Sequence, residues 1–170
     1  MNMKPEEWSL LVYRIPPQPT RLRLQIWRRL QKMGVVYLQN AVCLLPARPD
    51  LVENMEYVAA MIEEMGGTCF LFLAKTALPG ADERLHEEFS ILADTRLQEI
   101  IERLDRVETD LDSAVSPASL ERGEEELKRE RIAYLRVRRL AYFGSTKEQE
   151  VDSRLESLKQ ALDEMYRSSK

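Results

Sequence analysis

The chain has 170 residues, 44% of them apolar and 32% charged, and a formal net charge of −4. It reads as soluble and globular, one domain or two small ones, and richer in charge than the roughly 25% of an average domain. With no run of about 18 apolar residues a membrane span is excluded, and the opening MNMKPEEW lacks the positive-then-apolar pattern of a secretion signal, so a cytoplasmic location is expected. Two cysteines and one histidine are too few for a disulfide framework, a thiolate cluster or a histidine-rich metal site.

Along the chain, Ser9–Ile15 alternates and is rich in Leu, Val and Tyr, which predicts a strand ended by Pro16, Pro17 and Pro19. Thr20 is the expected N-cap of a helix from Arg21 to Met33, closed by Gly34. Val35–Leu38 and Ala41–Leu45 read as short strands joined at Gln39-Asn40. Asp50 with Glu53 predicts a capping box for a helix over Leu51–Met65, stopped by Gly66-Gly67, and Thr68–Ala74 reads as a last strand. The order βαββαβ over about 70 residues is the ferredoxin-like or split-βαβ pattern. Cys43 and Cys69 then fall on strands about 9–10 Å apart, too far for a disulfide, and are expected to be reduced and buried. Both faces of the sheet are apolar while two crossover helices cover one, so the helical half or a second subunit must bury the other.

Pro79-Gly80 marks a linker, giving expected domains at 1–78 and 79–170. Beyond it the period changes. Ala93, Leu97, Ile100, Leu104, Val107 and Leu111 follow 4-3 spacing, a coiled-coil-like heptad seam on a helix starting near Asp82 and about 40–45 Å long. Ser113–Pro117 breaks it. The next helix, to about Tyr142, has a poorer seam in Leu120, Leu127, Tyr134, Val137 and Ala141, interrupted by Gly123 and Glu130. Ser145 with Glu148 predicts a capping box for a last helix, whose seam is Val151, Leu155, Leu158, Leu162 and Met165. The expected fold is therefore α+β: a ferredoxin-like βαββαβ domain followed by an elongated antiparallel three-helix extension.

Charge is unevenly distributed. Residues 1–48 hold eight basic side chains against Glu6 and Glu7, a net of +6, so the other 122 residues carry −10. On the helix Arg21–Met33, Leu22, Ile26, Leu30 and Met33 form the buried stripe. Arg21, Arg28 and Lys32 fall within about 40° of each other on the far side, with Gln25 and Arg29 adjoining. The helix has five basic residues and no acidic one, which suits either phosphate contacts or ion pairs with the acidic helical half. The second basic block, Lys128, Arg129, Arg131, Arg136, Arg138 and Arg139, is scattered around its helix and reads as solvated or internally paired. Trp27 and Tyr37 read as core or interface residues before base-stacking ones. His86 among Glu83, Glu87 and Glu88 lacks a second His or Cys for a metal site. With no glycine-rich phosphate loop, nucleophile elbow or HExxH pattern, no catalytic residue, metal or cofactor is expected and the protein is read as a non-enzyme.

Trp8, Leu10–Pro16, Pro19-Thr20, Arg21, Trp27–Leu30, Gly34, Tyr37–Gln39, Val42 and Leu45-Pro46 together closely resemble the N-terminal domain of ChrB, the family of chromate-resistance regulators. Phe143-Gly144, Arg154–Glu156, Leu158, Ala161-Leu162 and Tyr166 extend the resemblance into the helical half. A weaker likeness links the strand–proline–WRRL unit to the ferredoxin-like domain of phenylacetate-pathway repressors. The resemblance implies a DNA-binding transcriptional regulator of a chromate-efflux operon, relieved by chromate, an oxyanion that arginines suit as well as they suit phosphate. Arg14, Arg21, Arg28 and Arg29 match the family's basic motif, and Lys32 joins them on the helix face as an expected DNA or oxyanion contact. Longer members of the family continue into a C-terminal domain, whereas this sequence stops after the helical region at Lys170. A homodimer would suit a palindromic operator. The rival expectation is a protein-interaction module using the apolar sheet face and the heptad helices.

Overall fold

A computed structural model describes residues 6–114 and 116–168; the N-terminal residues 1–5 with Lys4, and Val115 in the expected break between long helices, lie outside them. The chain is a mixed α+β protein, mostly helical. In chain order its elements are β1 (Glu7–Arg14), α1 (Thr20–Met33), β2 (Val36–Gln39), β3 (Val42–Pro46), α2 (Pro49–Glu64), β4 (Thr68–Lys75), α3 (Ala81–Asp112), α4 (Pro117–Leu140) and α5 (Glu148–Ser168). They fall into two compact units, Met1–Phe89 and Ser90–Lys170, with α3 contributing to both.

In the first unit the strands form one antiparallel sheet in the order β2-β3-β1-β4. Register decides the faces. Leu11 lies opposite Cys43 and Leu71, whereas Leu10 lies opposite Leu44 and Phe72, and Val12 opposite Val42 and Phe70. The Cys69 thiol, on the Leu11 face, donates to the Ala59 carbonyl of α2 at 3.4 Å, so that face is the helix-covered one. Leu11, Cys43, Leu45, Ile26, Leu30, Met55, Val58 and Ile62 are all fully buried. Burial pushes the Cys43 thiol up to about 12. Both cysteines are free, but Cys69 is only half-buried, not the core residue expected.

On the opposite face the first turns of α3 cover one end. Trp8 stacks on Phe89, ring centroids 5.8 Å apart and 6° from parallel, and donates its indole N–H to Asp82 at 2.9 Å. Thr76 Oγ1 and the Glu6 backbone N–H donate to the same carboxylate at 2.8 and 3.2 Å, and these bonds, the Trp8 one foremost, hold Asp82 below the usual carboxylate range. His86 Nε2 meets Glu6 at 2.8 Å. The far end stays open: Phe70 and Phe72 are 65% and 49% exposed.

Helix starts differ from the expected caps. α1 begins at Thr20 itself, after an extended Pro19 and with no side-chain cap. α2 begins at Pro49 with Arg48 before it, so Asp50 sits inside the first turn and closes no capping box. In both places a proline pre-sets the backbone and moves the start one to two residues earlier than side-chain signals indicate. The C-terminus of α1 is as expected, Gly34 taking φ 74° and returning its N–H to Gln31.

The second unit has its own core, built from α3, α4 and α5: Leu97, Ile100, Ile101, Leu104, Val107, Leu111, Leu120, Leu127, Tyr134, Val151, Leu158 and Leu162. Most of the expected seam residues are in this core, with Val137, Leu155 and Met165 partly buried against it, Ile101 added, and Ala141 left out as the C-cap of α4. The two interruptions on α4, Gly123 and Glu130, are buried as well. Gly123 is buried because a Cβ there would run into the Leu111 side chain. Glu130 is 8% exposed and accepts from Arg103 Nε at 2.8 Å. The start of α4 is capped by Ser116 with Ser119, Pro117 occupying the first turn. Ahead of α5, Ser145 donates to Asp94 instead of closing a box with Glu148, and Thr146 donates to Asp94 from its N–H at 3.0 Å and its hydroxyl at 2.8 Å. Burial raises the Asp94 carboxyl, but these hydrogen bonds outweigh it and hold the group low.

Candidate nucleic-acid interface

The two fully buried side chains of α1, Ile26 and Leu30, fix which face of the helix meets the core. The basic residues follow at 100° per residue onto the outside. Arg21, Arg28, Arg29 and Lys32 are all exposed and line one open groove of about 400 Å³, completed by Leu24, Gln25 and Met61 of α2. The lining holds four cations and no carboxylate. Within this unit no described carboxylate forms an ion pair with any of them, the unit's His86–Glu6 contact lying elsewhere.

Arg29 is held in a particular way. Its guanidinium carbon lies 4.5 Å from the centroid of the Tyr57 ring on α2. The ring face attracts the cation without supplying a carboxylate, so the contact leaves the charge of Arg29 unneutralised. Tyr57 has no signal in the sequence, because its role depends on α2 packing beside α1.

Arg14, the fifth expected contact, does not join this group. It is exposed at the end of β1 and lines a second depression of about 680 Å³ with Arg23, Trp27 and Tyr37. Trp27 is 50% exposed, so of the two expected settings, core or interface, it does not take the core one. The reason is its position: Trp27 follows the buried Ile26 by 100° and is carried past the core-facing stripe. Arg23 was not among the expected contacts, although its i,i+4 spacing to Trp27 puts both on one face. Tyr37 is half-buried, its hydroxyl 3.0 Å from that of Tyr13.

The second basic block, on α4, has a different setting. Lys128 pairs with Glu124 at 2.6 Å and Arg138 with Glu148 at 3.6 Å. Arg129 shares a depression with Asp110, Glu126 and Glu130, and Arg131 shares one with Glu124 and Asp163. These four of the block's six cations are locally balanced by acids.

The fold and its basic helix define a mixed α+β protein that presents an unneutralised cationic groove. The sequence model of Protein ChrB, N-terminal, matches residues 23–168, and the chain belongs to that family, which associates it with chromate resistance. The match takes in Arg23, Arg28, Arg29 and Lys32 and leaves Arg14 and Arg21 before its start. No curated protein and no solved structure matches the chain. None of the helices, over the described residues, is long and apolar enough to cross a membrane.

Proposed function

We propose that this is a ChrB-like transcriptional regulator of chromate resistance, cytoplasmic and non-enzymatic, that grips operator DNA through the outer face of α1. The observation that carries the reading is the α1 groove, with Arg21, Arg28, Arg29 and Lys32 around it and no carboxylate in its lining. Cations with no internal counter-ion attract a polyanion, and neutralising backbone phosphates supplies most sequence-independent affinity for DNA. We read the sheet order β2-β3-β1-β4 with α2 on one face as the ferredoxin-like frame for this helix, followed by an antiparallel three-helix extension. A two-fold pair of copies would offer two such helices to two half-sites. Chromate, a dianion, has the chemistry to compete for the same arginines.

The test is binding to the chain's own upstream DNA over a salt series, with chromate and sulfate as competitors. Wild type should lose affinity linearly on log–log axes, and Arg28→Glu with Arg29→Glu should make the slope shallower by about 2. Salt-independent binding, or none, overturns the proposal. It would then favour the second reading, a protein-interaction module, which rests on the exposed Phe70 and Phe72 of the edge strand β4. Loss of self-association on Phe72→Glu, followed by analytical ultracentrifugation, would mark that surface.

A further inference from the structure

The depression around Trp27 is chemically unlike the α1 groove. That groove is lined by four cations and no aromatic ring; this one joins two arginines to three aromatic side chains, Tyr13, Trp27 and Tyr37. At about 680 Å³ it falls in the size range of small-molecule sites. All of its lining comes from residues 13–41 of the first unit, so β1, α1 and the β2–β3 turn build it without help from elsewhere.

Three properties define what it would accept. The indole of Trp27 leaves half of its surface in water, an exposure that a stacked planar ring would relieve. Arg14 and Arg23 flank the depression, both exposed, and no described carboxylate of the unit is ion-paired with either. Arg23 lies close enough to Tyr13 for its charge to act on the phenol. Finally, in the Tyr13–Tyr37 pair one hydroxyl donates to the other, so the accepting hydroxyl keeps its own hydrogen for an incoming oxygen. Burial raises both phenols above their ordinary value, which keeps them protonated as donors.

We propose that this depression is a second binding site, for a nucleotide: the base stacks on Trp27 while the phosphate is held by Arg14, Arg23 and the free tyrosine hydroxyl. It adjoins the α1 groove at Leu24, the one residue common to both linings, and is otherwise built from different side chains. The same chemistry is offered by a free nucleoside monophosphate and by an unpaired nucleotide in a single strand.

The experiment uses the full chain and two probes, AMP and a fluorescently labelled oligothymidylate. Trp27 emission reports stacking directly, because the other tryptophan, Trp8, is 3% exposed. One or both probes should quench Trp27. Trp27→Ala, read by anisotropy of the oligonucleotide or by calorimetry with AMP, should weaken binding about 5- to 100-fold. Arg14→Gln with Arg23→Gln should weaken it about tenfold or more, whereas Arg28→Glu with Arg29→Glu should leave AMP binding within about twofold. Quenching by AMP alone assigns the site to free nucleotides, and much tighter binding of the oligonucleotide assigns it to single strands. No quenching by either probe, or binding indifferent to Trp27→Ala in a variant with wild-type circular dichroism and melting, overturns the proposal.

Discussion

Two helices of this protein carry blocks of arginine and lysine, and they differ in how much of that charge sits beside acids. On α4, Lys128 and Arg138 are taken up by Glu124 and Glu148, and Arg129 and Arg131 share their depressions with acidic residues. On α1, the groove lined by Arg21, Arg28, Arg29 and Lys32 holds no acid at all. Exposed pairs such as Lys128–Glu124 contribute little to stability, because water screens them, so the balance on α4 is a matter of a quiet surface more than of strength. The count of basic residues is therefore a poor guide to a polyanion site. What separates the helices is whether carboxylates occupy the same depression.

The comparison breaks most visibly in DNA affinity. Arg28→Glu with Arg29→Glu should weaken binding to the chain's upstream duplex about 100-fold at moderate salt, because two cations are lost and two anions face the phosphates. Arg129→Glu on α4 should change it by no more than about threefold. Equal losses from the two helices, measured by fluorescence anisotropy, would show that local neutralisation does not distinguish them.

Inside the second unit the pairing of a charge becomes a matter of stability. Glu130 is buried and accepts from Arg103, which is itself 38% exposed. Glu130→Ala should cost about 2 kcal/mol in urea unfolding, the range for a hydrogen bond to a charged group. Glu130→Leu should be nearly neutral, since the leucine fills the seam and the arginine can turn to solvent. Gly123→Ala should cost about 1–2 kcal/mol despite alanine's higher helix propensity, because its Cβ meets the buried Leu111. A stabilised Gly123→Ala would mean that α3 and α4 pack less closely there than their side chains indicate.

These α4 residues also show how far the sequence could be read. Strict 4-3 spacing located the α3 and α5 seams, since a repeat of apolar residues carries its own period. Gly123 and Glu130 looked like breaks in that period because their reasons lie on α3, in Leu111 and Arg103, and no local pattern points there. The α1 cluster was legible for the same reason as the seams: Arg21, Arg28 and Lys32 are fixed by helix rotation alone. The setting of Arg14 was not legible because it belongs to a strand, and its company, Arg23 and Trp27, is set by how α1 lies on the sheet. For Trp27 the core and interface alternatives could not be told apart locally, because aromatic residues are usually buried and only rotation past Ile26 puts it outside. The caps of α1 and α2 were displaced by prolines, whose ring fixes the backbone before any side-chain cap acts.

The smallest expected effect concerns acid. Each unit has a carboxylate that gathers several hydrogen bonds where a helix meets its surroundings: Asp82 receives Trp8, Thr76 and the Glu6 N–H, and Asp94 receives Ser145 and Thr146. Both are held below the ordinary carboxylate value. A carboxylate with a depressed folded-state value contributes stability that is fully present above its unfolded value. That contribution drains away as pH falls through the lower, folded one. Urea midpoints should therefore fall from about pH 5 downward in the wild type. Asp82→Asn and Asp94→Asn should each lower stability at neutral pH by about 1 kcal/mol, because the amide accepts fewer and weaker hydrogen bonds. Each should also flatten the acid limb, having removed one of the groups that titrates. If the flattening from Asp82→Asn is seen by Trp8 fluorescence and that from Asp94→Asn by far-ultraviolet circular dichroism, the two units lose their acid resistance separately. One common slope change under both probes would mean that they unfold together.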